Sequence, residues 1–353
     1  MRKDVIIVGQ GAAGTFLSWY LRKEGLDVVL IDKVDKNAAS YTAAGMINPV
    51  TGRRIVKSWM IDELMPFAFE AYTELGSELN IDAIQQKNII NFFPNQQMRE
   101  AFAHRLEEKA DFMHQIGDDD RYGEYFNYHF GYGEIEPAYL VTTHKLFKGY
   151  RKQLENASLL MDEVFDFEAL QVSGHEVRYK DIIAEKIVFC EGVPGSLNPY
   201  FSNLPFALNK GQALVVEIKG LPTNKVFKKT MKLAPIGNDL FWSGASYEWK
   251  NVDTQPTAEY REAMLDSLGQ WLKLPVKIVE HIASLRPATF ERRPFVGFHP
   301  AYTNVGIFNG LGAKGFSLAP YFAHELAQNI VRQAPIHPLA DVARFEKTLS
   351  RKV

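Results

Sequence analysis

The chain has 353 residues, of which 46% are apolar and 23% charged. That balance is ordinary for a globular protein of about two domains, and it excludes disordered, collagenous and coiled-coil chains. Forty basic residues against 42 acidic ones leave a formal charge of −2, which argues against a nucleic-acid face and against a strongly acidic surface.

Met1-Arg2-Lys3-Asp4 is charged, and the apolar run behind it, Val5-Ile6-Ile7-Val8, is too short for a secretory core of about seven to fifteen residues. It reads as a buried strand. Glycines follow at once, Gly9-Gln10-Gly11-Ala12-Ala13-Gly14, and then a helix over Thr15–Glu24 with Phe16, Leu17, Tyr20 and Leu21 at helical spacing. Gly25 ends it, and Leu26–Ile31 is a second strand that stops at Asp32. Helices are predicted over Asp62–Leu79, Gln97–Lys109 and Thr143–Glu155, with a strand at Asn88–Phe93. The Tyr- and Gly-rich stretch Gly117–Gly133 reads as irregular. Short strands are expected at Leu159–Met161, Val164–Phe167, Glu176–Tyr179 and Lys186–Cys190. Ala213–Ile218, Thr230–Leu233 and Leu240–Ser243 read as further strands, and Thr257–Lys273 as an amphipathic helix. Val276–Arg286 is a strand stopped by Pro287. Val305–Phe308 is the last buried strand, and a helix runs from about Phe316 to Arg332. No window approaches the roughly 18 apolar residues of a membrane span.

The chemistry starts at the first turn. In a strand–turn–helix, Gly9 permits the tight bend, Gly11 lets a pyrophosphate approach the backbone, and Gly14 lets the helix pack on the strand. The free N–H groups of the helix start face the phosphates, and Asp32 can accept from ribose hydroxyls. Strand, turn, helix and acid agree on a dinucleotide site; a structural turn with a solvated Asp32 is the plain alternative. The small residues Ala39-Ser40-Tyr41-Thr42-Ala43-Ala44-Gly45-Met46 then favour approach to a flat ring, or form a tight loop under a helix. A second glycine loop, Gly310-Leu311-Gly312-Ala313-Lys314-Gly315, stands between the last strand and the last helix. Arg286, at a strand end, can hold a carboxylate in bidentate fashion or form an interior ion pair with Glu280 or Glu291. One cysteine, Cys190, closes a buried strand and reads as core. It allows no intrachain disulfide and no cysteine metal site, which fits a reducing, cytoplasmic compartment. His104 and His114 show no ligand spacing, so no metal is expected.

Taken together these segments resemble the FAD-dependent D-amino-acid oxidase and glycine oxidase family. Ala44-Gly45-Met46 is similar to the family's A-A-G-M stretch, and Ala39-Ser40 falls where its hydroxyl pair sits. Leu285-Arg286-Pro287 resembles its L-R-P, Pro294-Phe295-Val296-Gly297 its P-x-I-G, Lys210-Gly211-Gln212 its K-G-Q/E, and Gly310–Pro320 its terminal loop and helix.

The resemblance implies an α/β protein with a Rossmann-like FAD domain and an inserted α+β substrate domain. The FAD domain would be discontinuous, over 1–75, 135–205 and 285–353, and the substrate domain, with an antiparallel sheet, would take 76–134 and 206–284. It implies non-covalent FAD held by Gly9, Gly11, Ala12, Ala13, Gly14, Asp32, Lys33, Ala39, Ser40, Ala44, Gly45 and Met46. Val164 and Gly192 would add further contacts, with Gly310, Leu311, Gly312, Ala313, Lys314, Gly315 and Phe316 at the flavin. The last helix's N-terminus, with Lys314, would favour the anionic reduced ring; a helix cap with a solvated lysine is the plainer account.

It also implies oxidation of an amine or amino acid by hydride transfer, with Arg286 on the substrate carboxylate and oxygen or another acceptor taking the electrons. Glycine oxidase carries a tyrosine near position 230, whereas Thr230-Met231-Lys232-Leu233 has none. Lys232 is similar to a lysine of the sarcosine oxidase branch that assists the reaction with oxygen, or is a surface lysine of the basic run 225–232. The oxidase domain of the bifunctional tRNA wobble-uridine modifying enzyme is a second resemblance, acting on a carboxymethylamino group. A flavin-binding module without turnover and a nicotinamide dehydrogenase remain as other readings.

Overall fold

The computed structural model describes residues 1–52, 55–108, 110–250 and 252–350. The predicted helix over Gln97–Lys109 is found as Gln96–Glu107, and its expected last residue lies outside the described residues.

The β-branched run of the N-terminus forms the strand Arg2–Val8, which lies in the middle of an eight-stranded sheet. Val28–Ile31 pairs with it in parallel on one side and Ile182–Phe189 on the other, each carrying the buried apolar runs expected of a sheet covered on both faces. Leu160–Met161 extends the parallel part beyond Val28–Ile31, and Val305–Asn309 extends it beyond Ile182–Phe189. Phe295–Phe298 and the hairpin of Leu170–Val172 with Val177–Tyr179 add antiparallel strands.

Two helices cover one face. Ala12–Lys23 is buried from Ala12 through Leu21, too apolar all round to be a surface helix. It packs on Gly315–Arg332, and Ile61–Glu78 packs on that helix in turn. Trp19, Phe16, Tyr72 and Phe322 fill the space between them, each large ring contributing about 1.5–3 kcal/mol or more on burial.

The second large sheet also has eight strands, in the order Lys277–Arg286, Asn209–Glu217, Leu240–Gly244, Lys232–Gly237, Val226–Lys228, Ile89–Phe92, Tyr132–Ile135 and Met113–Gly117. It is antiparallel except where Val226–Lys228 runs parallel to Ile89–Phe92. Ala258–Trp271 covers its outer face, with Trp271 stacked on Phe126.

Two expectations need correction. Val164–Phe167 is not a strand: it is irregular up to a short 3-10 turn at Phe167–Ala169, and no neighbouring strand offers Val164 a ladder. The stretch Gly117–Gly133 is irregular only in its middle, because its two ends belong to strands of the second sheet. Among the described residues no helix is long and apolar enough to cross a membrane.

Candidate functional site

A cavity of about 630 Å³ lies between the two sheets, within the range of about 300–1,000 Å³ usual for cofactor sites. Both glycine loops open into it, as do residues 37–46 and the inner face of the second sheet.

The first loop shows why glycine is needed twice. A methyl on Gly9 would press into the backbone of Cys190, and one on Gly14 would overlap the carbonyl of Gly9. Helix Ala12–Lys23 has no side-chain cap of its own. The hydroxyl of Ser40 supplies one, accepting from the Ala12 N–H at 3.0 Å. The N–H groups of Ala13 and Gly14 lack partners within the helix, as first-turn donors do. Gln10 is buried, and its amide nitrogen donates to Thr15 Oγ1 and to the Phe147 carbonyl, but its Oε1 has no partner.

Asp32 is more committed than expected. It accepts the Gln10 N–H at 2.8 Å and pairs with Arg151 at 2.6 Å. Arg151 reaches Asp162 at 2.8 Å and Glu155 at 3.2 Å as well. The carboxylate therefore belongs to a cluster and is not a solvated strand end. Lys33 lines the same corner and pairs with Asp162 at 3.3 Å.

Residues 37–46 are tied to the second sheet. Trp242 Nε1 donates to the Thr42 carbonyl at 2.9 Å, and Ser284 Oγ to the Asn37 carbonyl at 2.7 Å. Ala39, Ala44, Gly45 and Met46 all line the cavity. At Gly45, φ is +74° and a methyl would collide with the Val141 carbonyl.

The second loop is fastened to the strand end bearing Arg286, since Gly312 N–H donates to the Pro287 carbonyl at 3.0 Å. Asn309 joins it to Gly192, with Nδ2 donating to that carbonyl at 2.8 Å. Leu311, Gly312, Ala313, Gly315 and Phe316 line the cavity, and so does Gly192. Gly14 and Gly310 sit behind the wall and serve its backbone. Lys314 does not line it; burial and the neighbouring charges of Arg293 and Arg292 lower its pKa. Val164 is at the rim and 75% exposed.

Arg286 lines the cavity at the second sheet. Its guanidinium donates to Asn209 Oδ1 at 2.7 Å and to the Ser246 carbonyl at 3.2 Å, and lies over the Tyr247 ring at 4.4 Å. Among the described residues no carboxylate is within ion-pair distance of it. Glu291 pairs with Arg344 instead, so the interior ion pair is not formed. A methyl on Gly211 would overlap the guanidinium, which makes the bare backbone of the K-G-Q segment a requirement of Arg286. Lys232 lines the cavity too and is half-buried, not a surface lysine. Burial, then Lys228 and Arg286, push its pKa down to about 8.

Gln10, Arg151, Glu191, Gly211, Trp242 and Asn309 were given no site role by sequence reasoning. Gly211 had a local signal in its motif. Arg151 had none, being 119 residues from Asp32.

These observations fit FAD. Partnerless helix-start donors and close-packed backbone at the glycines form a cradle for phosphates. The wide space between Trp242 and the second glycine loop takes a ring system. Residues 4–329 match the family model described as FAD dependent oxidoreductase, DAO.

The chain belongs to that family. It is therefore an FAD-dependent oxidoreductase. It is similar to the glycine oxidase of Pseudomonas aeruginosa, with 23% identity over 95% of this chain and 97% of that protein. Over 117 residues it is 31% identical to the tRNA 5-methylaminomethyl-2-thiouridine biosynthesis bifunctional protein MnmC of Marinobacter nauticus, covering 30% of this chain and 18% of that one. The DAO fold is shared with the crystal structure of glycine oxidase from Geobacillus kaustophilus, at a TM-score of 0.80 and 19% identity, over 100% of this chain and 99% of the other.

Proposed function

We propose that the protein oxidises the amine of an amino acid to an imine, which water hydrolyses. The observation that carries this reading is Arg286: a cation in the cavity wall without a carboxylate partner, fastened through Pro287 and Gly312 to the second glycine loop. An incoming carboxylate relieves such a charge, and an arginine fork orients it. FAD, when bound, would supply the two-electron acceptor for the Cα hydride.

The chain's own work is positioning and electrostatics. The first loop, with Gly9, Gly11, Ala12, Ala13 and Gly14, holds the phosphates, and Ser40 steadies the helix that presents them. Asp32 retains acceptor capacity for a ribose beside its bonds to Gln10 and Arg151. Gly312 to Phe316 place a helix N-terminus at the cavity. Binding as the neutral amine requires no protein base. The attachment of FAD is non-covalent, because Cys190 is buried and burial raises its thiol pKa well above the ordinary value. We assign the cofactor domain to 1–75, 135–205 and 285–353 and the substrate domain to 76–134 and 206–284, supported by the strand membership of the two sheets. The lone buried cysteine supports a reducing, cytoplasmic setting.

Anaerobic titration of the yellow protein with a panel of amino acids tests the reading. Bleaching of the flavin by at least one of them is expected; no bleaching by any, with photoreduction intact, rejects it. A second reading places the same chemistry on a carboxymethylamino group of tRNA, and rests on the local similarity to the Marinobacter protein. Salt-sensitive retention of tRNA would favour it.

A further inference from the structure

The floor of the cavity at its substrate end is a strip of sheet nearly free of side chains. Ala213 stands opposite Gly244, and Gly244 opposite Lys232. Gly211 lies two residues from Ala213, on the same face. The guanidinium of Arg286 lies over Gly211 at one end of the strip, and Lys232 opens into the cavity at the other. Strand spacing and rise put the Cα atoms of Gly211 and Lys232 about 12 Å apart. Two long side chains that line one cavity narrow that gap to the size of a small ligand.

Counter-ions are absent where they would be expected. Lys210, one residue from Gly211, is fully buried and pairs with Asp253 at 2.6 Å. Neither Arg286 nor Lys232 has such a partner among the described residues, nor has Lys228, which stands opposite Lys232. The charge of Glu248 reaches Arg286, but that carboxylate is taken by Gln212 Nε2 at 2.9 Å and by the Ser246 hydroxyl. Like charges gathered in one half-buried wall are unfavourable unless anions join them. A single carboxylate offsets one of them.

We propose that the substrate carries two carboxylates, as an aminodicarboxylic acid or an N-carboxyalkyl amino acid, with Arg286 holding one and Lys232 the other. This rests on the amino-acid reading above. It gives Lys232 a substrate-positioning role in place of an oxygen-assisting one.

The test uses succinate and butyrate, which share a four-carbon chain and differ by one carboxylate. Each is titrated into the oxidised holoenzyme and followed by perturbation of the flavin spectrum. Succinate is expected to bind at least 30-fold more tightly than butyrate. Lys232→Met should reduce that ratio to below threefold by weakening succinate alone, Lys232→Arg should keep part of it, and Arg286→Met should weaken both acids. Three outcomes overturn the proposal: succinate no tighter than butyrate; Lys232→Met weakening both acids alike; or Lys232→Met leaving both titrations unchanged while slowing reoxidation of the photoreduced flavin by oxygen. A colourless protein rejects the flavin reading on separate grounds, and calorimetric titration with the same two acids then decides the anion pair.

Discussion

Arg151 and Asp32 meet at 2.6 Å, with Asp32 in the cavity wall where the second strand of the parallel sheet ends and Arg151 outside that wall. The pair is largely buried, and Asp162 and Glu155 stand on the same guanidinium. Removing one partner of a buried pair costs about 3–5 kcal/mol, because the other is left uncompensated. Arg151→Met should therefore lower the thermal midpoint and weaken FAD retention together, even though Arg151 is not in the cavity wall. Thermal melts with and without added FAD read this. An unchanged midpoint would mean that solvent already screens the pair.

Gly211→Ala should separate substrate from cofactor. The added methyl displaces the Arg286 guanidinium, an overpacking cost of about 1–3 kcal/mol. FAD content should stay normal while KM for the amine rises about tenfold or more. Unaltered kinetics would show that the guanidinium moves aside at no cost.

Arg286→Lys should fail to restore Arg286→Ala, since a point charge cannot reproduce a planar fork. Both should lose about 2–4 kcal/mol in kcat/KM with normal flavin content. Loss of FAD in either variant would make Arg286 a structural residue.

Glu191 carries a pH prediction. Burial raises its pKa from 4.5 to about 7, against a 2.8 Å hydrogen bond from Asn198 that acts to lower it. The folded protein thus holds this proton between pH 4.5 and 7 while the unfolded chain releases it. Its contribution to stability is complete below pH 4.5, declines as pH rises to 7, and is gone above that. Glu191→Gln cannot ionise, so its stability relative to the parent should improve from pH 5 to pH 8 by on the order of 3 kcal/mol. Denaturant midpoints at the two pH values decide it, and an equal difference at both would refute the assignment.

Acid precipitation should release all yellow colour into the supernatant. Pellet-bound colour would require a covalent attachment that buried Cys190 does not explain.

The sequence made the cofactor loops readable because each is a local event: a β-branched strand, glycines where Cβ atoms cannot fit, then a helix. Arg286 was readable from its place before Pro287. Lys232 was readable only as a residue type, since its burial depends on strands that pair across the sheet. The cluster on Arg151 was invisible, because Asp32 and Asp162 come to it from separate segments and only Glu155 shares its helix. Val164 was misread because an apolar, aromatic tetrad looks like a strand even where no neighbour pairs with it. Lys314 was read from its position in a loop, and its absence from the cavity wall depends on packing that a loop position does not reveal.

The strand Val305–Asn309 and the loop after it complete a pocket whose first wall is laid down by residues 5–14. During synthesis the pocket therefore stays open on that side until residues 305–316 have emerged. A chain cut before residue 305 would lack both that wall and the helix Gly315–Arg332, which packs on Ala12–Lys23 behind the first glycine turn.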